Sequence, residues 1–124
     1  MLASGLEVLD EPKELVAFAA MYGGGMALGD HCGFYTAGLM IIGLASAGVP
    51  DGRAAAAKAR KDFTDEWKKR WPLRCREIKE AQGAKKIAGN CGTLGAEAGA
   101  ILGPLIAPLA AHPGRIRFAV KPKA

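Results

Sequence analysis

The chain has 124 residues, of which 50% are hydrophobic but only 6% aromatic, and its net charge is +5. This length corresponds to one small domain, and an alanine-rich core buries little area, so we expect a partner subunit or a bound cofactor to supply part of the burial. The basic excess lies in residues 58–76 and 115–123. In the first stretch acidic residues are interspersed, as on a solvated helix face, and no nucleic-acid-binding motif accompanies it, so the sequence favours no nucleic-acid partner.

The sequence also argues against a membrane span. The longest uncharged apolar run, residues 34–49, is about 16 residues long, whereas a span needs about 20. A later run, residues 93–111, contains Glu97, Pro104 and Pro108. The first residues lack the basic and apolar regions of a signal peptide. We therefore predict a cytoplasmic protein, or a periplasmic one if its start has been processed.

In chain order, residues 1–9 are interpreted as a short lead and residues 10–22 as the first helix. Asp10 followed by Pro12 is typical of a helix start. Apolar residues recur at spacings of three and four, at Leu15, Phe18, Ala19 and Tyr22. The glycine run at 23–25 ends this helix and permits a sharp turn.

The second predicted helix, residues 31–47, begins after Asp30 as its N-cap residue. Its glycines recur every five residues, at Gly33, Gly38, Gly43 and Gly48, so they do not form one stripe. A helix that is thin and apolar on every side belongs at the centre of a bundle. Gly48 is the predicted C-cap.

Asp51 is predicted to cap a third helix over residues 53–70. Its buried stripe comprises Ala56, Ala59 or Arg60, Phe63 and Trp67. A short further helix, residues 73–82, carries Cys75 and ends at Gly83, and a short basic stretch, residues 84–89, follows.

The last predicted helix opens at Asn90 or Cys91 and runs to about residue 111. Its glycines, Gly95, Gly99 and Gly103, lie four apart and predict a groove for close approach of another helix. Two prolines, Pro104 and Pro108, are expected to bend or segment its end.

These patterns together predict an all-α fold, a small bundle of about four to five helices around a central apolar helix rich in glycine and alanine. Residues 1–114 form one helical domain in this interpretation. Residues 115–124 form a basic tail that is either a short strand or disordered.

Three cysteines are the residues most able to carry chemistry. Cys32 and Cys91 are predicted to begin buried helices, and Cys75 lies between Arg74 and Arg76. A thiol at a helix start lies near free N–H groups and the positive end of the helix dipole, which favours the thiolate, the form that binds metal or exchanges disulfides. The alternative is that the three cysteines are simply small buried hydrophobic residues.

Other signals are weaker. His31, beside Cys32, is a ligand or proton donor or else a capping residue, and His112 lies in a predicted turn. The glycine-rich loop before a helix resembles a phosphate cradle but matches no phosphate-binding motif, and no strand precedes it. No Ser/His/Asp set or carboxylate pair points to an enzyme class.

The same residues resemble a family of redox-active proteins named for its cysteine pattern, C-x-x-G-C-A-x-x-G followed by two separate cysteines. The resemblance covers about residues 12–105. The segment Gly33-Phe34-Tyr35-Thr36-Ala37-Gly38 is also similar to the related domain of split-Soret cytochrome c. The family resemblance rests on Gly23-Gly24-Gly25-Met26, Gly29-Asp30-His31-Cys32-Gly33, Thr36-Ala37-Gly38-Leu39-Met40, Cys75-Arg76-Glu77-Ile78 and Cys91.

The resemblance implies a small helical redox or electron-transfer domain whose cysteines gather at one site. Cys32, Cys75 and Cys91 would bind an iron–sulfur cluster whose fourth ligand is His31, a missing cysteine or a residue across a dimer, or two of the cysteines would form a reversible disulfide. No cysteine precedes Asp10, so the resemblance implies a domain that lacks the family's N-terminal cysteine helix. A homo-oligomer or a redox partner would supply that helix, or the true start lies upstream, or the cluster site is degenerate. The alternative function is a non-catalytic helical subunit that docks on a larger redox partner.

Overall fold

Five α-helices form the bundle in the computed structural model, which describes residues 2–19, 21–22, 25–82 and 91–118. They are α1 (Leu2–Val8), α2 (Gly33–Ser46), α3 (Gly52–Lys68), α4 (Cys75–Gln82) and α5 (Cys91–Ala110). A 3-10 helix (Lys13–Ala19) and one π-type turn (Gly25–Gly29) lie between α1 and α2. The predicted all-α class is confirmed. The predictions for residues 23–24, 83–90 and 119–124 lie outside the described residues, and the division at residue 114 stays a prediction.

Helix α2 is the centre of the bundle, as its apolar, glycine-rich sequence predicts. It packs against α1, α3 and α5. Its Ile41 and Ala45 are completely buried. Three of the other four helices therefore pack on α2, which makes it the common contact of the described bundle.

The amphipathic pattern of α3 is also confirmed. Ala59, Phe63 and Trp67 are buried along one side of the helix. On the other side, basic residues pair with acidic ones one turn away, as Lys58 does with Asp62 at 2.8 Å. These exposed pairs each contribute little to stability, and they form the solvated face that the mixed charges predict.

The interpretation of residues 1–9 as a lead is wrong, because this segment forms helix α1. Leu2, Leu6 and Leu9 are buried at spacings of four and three. The backbone of Gly5 lies so close to α2 that an added Cβ would be 2.4 Å from the Ile41 side chain. A helix of only seven residues is marginal in isolation, so its packing against α2 stabilises it.

Asp10 ends α1 instead of capping the next helix. Its φ of 55° lies in the left-handed region. The N–H of Asp10 donates to Glu7 O at 3.1 Å, and the N–H of Glu11 donates to Leu6 O at 2.8 Å. This pair of hydrogen bonds is a Schellman motif with Asp10 at the position usually held by glycine.

The first predicted helix is therefore shorter than expected, a 3-10 helix over Lys13–Ala19. None of its residues is buried, and Phe18 is 77% exposed. Since tertiary packing supplies most helical stability, a segment without a buried face gains little from a full α-helix.

Helix α5 continues through both of its prolines, so they do not segment it, and the predicted bend stays a prediction. Each proline removes a backbone hydrogen bond. The helix nevertheless buries one apolar side, comprising Leu94, Ala98, Leu102, Ile106 and Leu109. Of its three spaced glycines, Gly95 meets another helix at the ring of Phe34, whereas a Cβ at Gly99 or Gly103 would have no neighbour within 4 Å among the described residues. In this part of the chain the predicted glycine groove is thus limited to the contact at Gly95.

Residues 115–118 return to the start of the chain without helical structure. The Arg115 side chain is 1% exposed and its Nη1 lies 2.7 Å from Glu11 Oε1, whose side chain is fully buried. Arg115 Nη2 donates to Leu9 O, and Glu11 Oε2 accepts from the N–H of Phe118 at 2.9 Å. The end of the described chain is therefore tied to the end of α1.

Candidate functional site

An isolated antiparallel bridge joins the segments that precede α2 and α4. His31 lies opposite Arg74 in this bridge. The N–H of Cys32 donates to Leu73 O at 2.8 Å, and the N–H of Cys75 donates to Asp30 O at 2.6 Å. Both hydrogen bonds use a cysteine N–H as the donor. The backbone of Cys32 and the backbone of Cys75 are therefore held in the same short bridge between the two segments.

Cys32 is the N-cap residue of α2, with φ −60° and ψ 135°, and its side chain is buried. Its carbonyl already accepts from the N–H of Thr36 at 3.1 Å. The prediction that Asp30 caps this helix is wrong, because two residues separate Asp30 from the first helical residue. The predicted helix-start position of Cys32 itself is confirmed.

Asp30 instead binds His31. Its Oδ1 accepts from the His31 backbone N–H at 2.9 Å and lies 2.8 Å from His31 Nδ1. These hydrogen bonds, the side-chain one first, hold the pKa of Asp30 below its usual value of 3.8, and Arg74 lowers the pKa further. A carboxylate at Nδ1 leaves the Nε2 of His31 as its other ring nitrogen for a second partner.

Cys75 is the first residue of α4 and is half-buried. The segment before it is anchored by Trp67, whose Nε1–H donates to Pro72 O at 2.8 Å. Trp67 also packs edge-on against Trp71, with ring centroids 4.9 Å apart. The buried face of α3 therefore sets where α4 begins.

Tyr35 continues the same aromatic cluster towards Cys32. Its ring stacks on Phe63 at 5.8 Å and contacts Trp67 edge-on at 5.5 Å. Its hydroxyl lies 2.8 Å from Thr64 Oγ1. The aromatic rings of α3 therefore contact the first turn of α2 through Tyr35 and, through the hydrogen bond of Trp67, the segment before α4.

Cys91 is the first residue of α5, as predicted, and its side chain lies outside the described residues. One turn further on, Gly95 packs against the ring of Phe34, which lies in the first turn of α2. This contact brings the first turn of α5 to the first turn of α2.

The turn Gly25–Gly29 sets the position of Asp30 before the bridge. Met26 and Ala27 have φ values of 61° and 59°, so they and Gly25 (φ 64°) form a left-handed turn. A Cβ on Gly25 would lie 2.3 Å from Asp30 O, the oxygen that accepts from Cys75. Glycine is required at this position both for its φ and for the space.

The predicted ligands are thus only partly assembled among the described residues. Cys32, His31 and Cys75 share the bridge, but the described side chains contain no group of three or more His, Cys, Asp or Glu residues that would hold a metal ion. Iron–sulfur ligation by Cys32, Cys75, Cys91 and His31 stays a prediction. His112 lies in a turn, where its Nδ1 accepts from the N–H of Gly114 at 2.9 Å.

Sequence reasoning missed the residues that position the site. The sequence pattern assigns Trp67 only to the core, gives Arg74 only as a charge beside Cys75, and gives Tyr35 no role. The signal in the sequence is the Trp71-Pro72 pair that precedes Cys75. A proline interrupts the helical hydrogen bonds, and here the carbonyl of Pro72 accepts from the indole N–H of Trp67.

The fold and site together define a small helical domain in which cysteines stand at the starts of three helices. The family model described as "Putative redox-active protein (C_GCAxxG_C_C)" matches residues 1–105, and the chain belongs to this family. The match includes α1 through most of α5. No curated protein and no solved structure gave a significant match. Among the described residues, no helix has the length and apolar character needed to cross a membrane.

Proposed function

We propose that the chain transfers electrons through its cysteines, and that reversible disulfide chemistry is the form that the described residues support best. The observation that carries this proposal is the bridge at His31 and Arg74, in which Cys32 and Cys75 each donate a backbone hydrogen bond to the other segment. The family's description as redox-active supports the same reaction class.

Cys75 is the proposed attacking residue because it is half-buried, whereas the Cys32 side chain is 8% exposed. The oxidant is a disulfide of a partner protein. The Cys75 thiolate attacks one partner sulfur, a mixed disulfide forms, and the other partner sulfur leaves as a thiolate and takes up a proton. A second cysteine thiolate, from Cys32 or Cys91, then attacks the Cys75 sulfur and releases the second partner thiol. The chain loses two electrons and the partner gains them.

The geometry of the bridge affects which cysteine, Cys32 or Cys91, can form the disulfide with Cys75. Cys32 lies opposite Leu73, so Cys75 is its diagonal neighbour, and diagonal neighbours in antiparallel pairs lie about 7–8 Å apart. Disulfides usually join Cα atoms about 4.4–6.8 Å apart. A direct bond between Cys32 and Cys75 therefore requires a small backbone shift, and Cys91 is the competing second cysteine.

An iron–sulfur cluster is the other form of the proposed redox centre. Such a cluster supplies one-electron transfer and takes four protein ligands, usually cysteines. The described side chains at the bridge supply two thiols, which is an incomplete set.

The test begins with the absorption spectrum and the iron and sulfide content of anaerobically purified protein. We expect an iron-free protein that loses two thiols per chain on oxidation with diamide and regains them with dithiothreitol. Cys75→Ser should abolish this two-thiol loss. Ala54→Ser, a matched substitution on the exposed side of α3 that leaves all three cysteines in place, should leave it unchanged.

Two results would contradict the dithiol form. If the purified protein contains stoichiometric iron and sulfide, the redox centre is an iron–sulfur cluster and not a dithiol. An identical thiol loss in the Cys75→Ser variant would show that Cys75 takes no part. Mass spectrometry of the oxidised protein then identifies which cysteines are joined.

A second candidate function is a helical subunit that docks on a larger redox protein or on other copies of the chain. The exposed apolar side chains of the segment before α2, among them Phe18, Met21 and Leu28, favour it. Co-purification of a stoichiometric partner, without thiol turnover, would support this function over the first.

A further inference from the structure

The positive charge of the chain is concentrated around Cys75. Residues 68–79 contain six basic residues and one acidic residue, so this short segment carries as much net charge as the whole chain, which is +5. All six basic residues are exposed. They make up the basic patch, which comprises Lys68, Lys69, Arg70, Arg74, Arg76 and Lys79.

Ion pairs neutralise the earlier part of α3 but leave most of the basic patch unpaired. Lys58 and Lys61 each pair with an aspartate one turn further along the helix, at 2.8 and 2.7 Å. Lys69 and Arg70 share one carboxylate, that of Glu66. Within the described residues the other four members form no ion pair, and these are Lys68, Arg74, Arg76 and Lys79.

The helical order of α4 keeps its carboxylates away from Cys75. Lys79 follows Cys75 by four residues and therefore lies on the same side of the helix. Glu77 and Glu80 follow Cys75 by two and five residues, which places them about 200° and 140° around the helix axis. An anionic group that approaches Cys75 along this side of α4 thus meets a lysine and neither of the two glutamates.

The turn before the bridge positions Arg76. The Arg76 Nη2 donates a long hydrogen bond to Leu28 O at 3.4 Å. Gly29 lies against the same side chain, because a Cβ there would be 3.2 Å from Arg76 Cβ and 3.3 Å from Arg76 Nε. Since the stem of Arg76 is already in place beside Cys75, the guanidinium loses less side-chain entropy when it binds an anion.

Arg74 precedes Cys75 and is part of the bridge. It lies opposite His31 and is exposed. The carboxylate of Asp30 lies near it, but the Asp30 Oδ1 is hydrogen-bonded to His31. Both arginines that flank Cys75 are therefore accessible to a carboxylate from another molecule.

We propose that the disulfide that oxidises Cys75 belongs to an acidic segment of a partner protein, whose carboxylates bind the basic patch. This inference rests on the proposed function, because it names the class of substrate for the same cysteine. Arginine binds carboxylates through two parallel hydrogen bonds, and opposite charges raise the rate of encounter. The basic patch extends over the end of α3 and the start of α4, so it can contact more carboxylates than a small disulfide carries.

Rapid mixing of the reduced full chain with two synthetic peptides tests the proposal. Both peptides contain the same internal disulfide, which is flanked by glutamates in one and by glutamines in the other. The loss of protein thiols gives a rate constant for each, and the same measurement with dithiothreitol corrects for the intrinsic reactivity of the peptides. At about 0.1 M salt the glutamate peptide should react at least about 10-fold faster, and about 1 M salt should remove most of this difference.

Charge variants locate the effect. Arg74→Gln combined with Arg76→Gln should lower the ratio of the two rates to about threefold or less. The matched control is Arg53→Gln combined with Arg60→Gln, which removes two exposed arginines from the other part of α3. Arg60 precedes Lys68 by about 12 Å along the helix, which is more than the Debye length of about 10 Å at 0.1 M salt, so the control should keep the ratio. Circular dichroism establishes that both double variants are folded.

The outcomes separate this inference from the proposed function. Equal rates for the two peptides, with both oxidising the chain, overturn the inference and leave the dithiol reaction intact. A control variant that lowers the ratio as much as the variant at Arg74 and Arg76 also overturns it, because the effect is then one of net charge. Glutathione disulfide that reacts as fast as the glutamate peptide assigns the site to a small acidic disulfide and overturns the protein partner. If neither peptide removes thiols, the proposed function fails and the inference fails with it.

Discussion

Replacing Arg115 by methionine should destabilise the fold strongly, although Arg115 lies beyond the part of the chain that the family model matches. The Arg115 guanidinium is buried against Glu11, and it also donates to the carbonyl of Leu9. Methionine preserves much of the apolar stem but removes both hydrogen bonds. The Glu11 carboxylate then stays buried with the N–H of Phe118 as its remaining partner.

Removing one member of a buried pair costs about 3–5 kcal/mol, because the other charge is left uncompensated. A domain of this size has a stability of roughly 5–15 kcal/mol. The single change should therefore remove a large share of the free energy of unfolding and lower Tm by on the order of 10–20 °C. Replacing Glu11 and Arg115 together by methionine should recover much of the loss, since no unpaired charge remains.

Urea unfolding followed by circular dichroism measures the effect. The matched control is Arg117→Met, which breaks the neighbouring pair between Arg117 and Asp10. These two side chains are 55% and 87% exposed, so their pair should contribute about 1 kcal/mol or less. Equal losses for the two single variants, or a double variant less stable than Arg115→Met, would refute the reasoning from burial.

Three further predictions concern the candidate site. Gly25→Ala should lower the free energy of unfolding by about 1–3 kcal/mol, because Gly25 has a positive φ and a Cβ there would collide with the Asp30 carbonyl. Gly99→Ala should raise it by about 0.5–1 kcal/mol, because a Cβ at that helical position meets no described neighbour. Thermal unfolding of the two variants measures both effects. His31→Gln should move the pKa of Asp30 up towards 3.8, measured by NMR titration. Because the pKa of Asp30 is lowered in the folded state, the contact with His31 stabilises the fold above about pH 3.8, and this stabilisation is lost as the pH falls through the lowered pKa. The stability of the variant should therefore depend less on pH in acid. An unchanged titration of Asp30 would contradict this prediction. Trp67→Phe should cost about 1–3 kcal/mol in urea unfolding, because the carbonyl that it binds loses its donor; no change would show that the hydrogen bond is dispensable.

The long helices could be predicted from the sequence because several local signals agree in them. In α3, the buried stripe ending at Phe63 and Trp67 and the charged opposite face indicate the same helix. In α2, Gly48 follows the helix with a φ of 78°, as a glycine at a helix end is expected to do. Burial and local preference do not conflict in these segments.

The errors fall where one residue type fits two roles. Asp is favoured at a helix start, but Asp10 takes the left-handed position that ends α1, and Asp30 turns its carboxylate to His31 instead of the first turn of α2. The prolines of α5 fail as breakers because tertiary packing outweighs a local preference. Such outcomes depend on contacts with distant residues, which a single sequence does not display.

The helix-start positions of Cys32, Cys75 and Cys91 were predictable, but their relative placement was not. The pairing of the first two depends on the bridge at His31 and Arg74 and on the anchoring of the intervening segment by Trp67. Neither feature has a local pattern. A lone bridge lacks the alternating residues that mark a strand.

The bridge also has a kinetic consequence. His31 and Arg74 are separated by more than forty residues, and closing a loop of that length costs roughly 3 kcal/mol of chain entropy before any contact compensates for it. Contacts of such sequence separation tend to form late in folding. During synthesis, Cys32 would therefore emerge well before its pairing partner exists, and the two cysteines would be brought together only after α3 has been made and packed. Thiol reactivity at this site would then report on completion of folding, and a nascent chain that stops within α3 would carry Cys32 without the backbone bridge to the segment of Cys75.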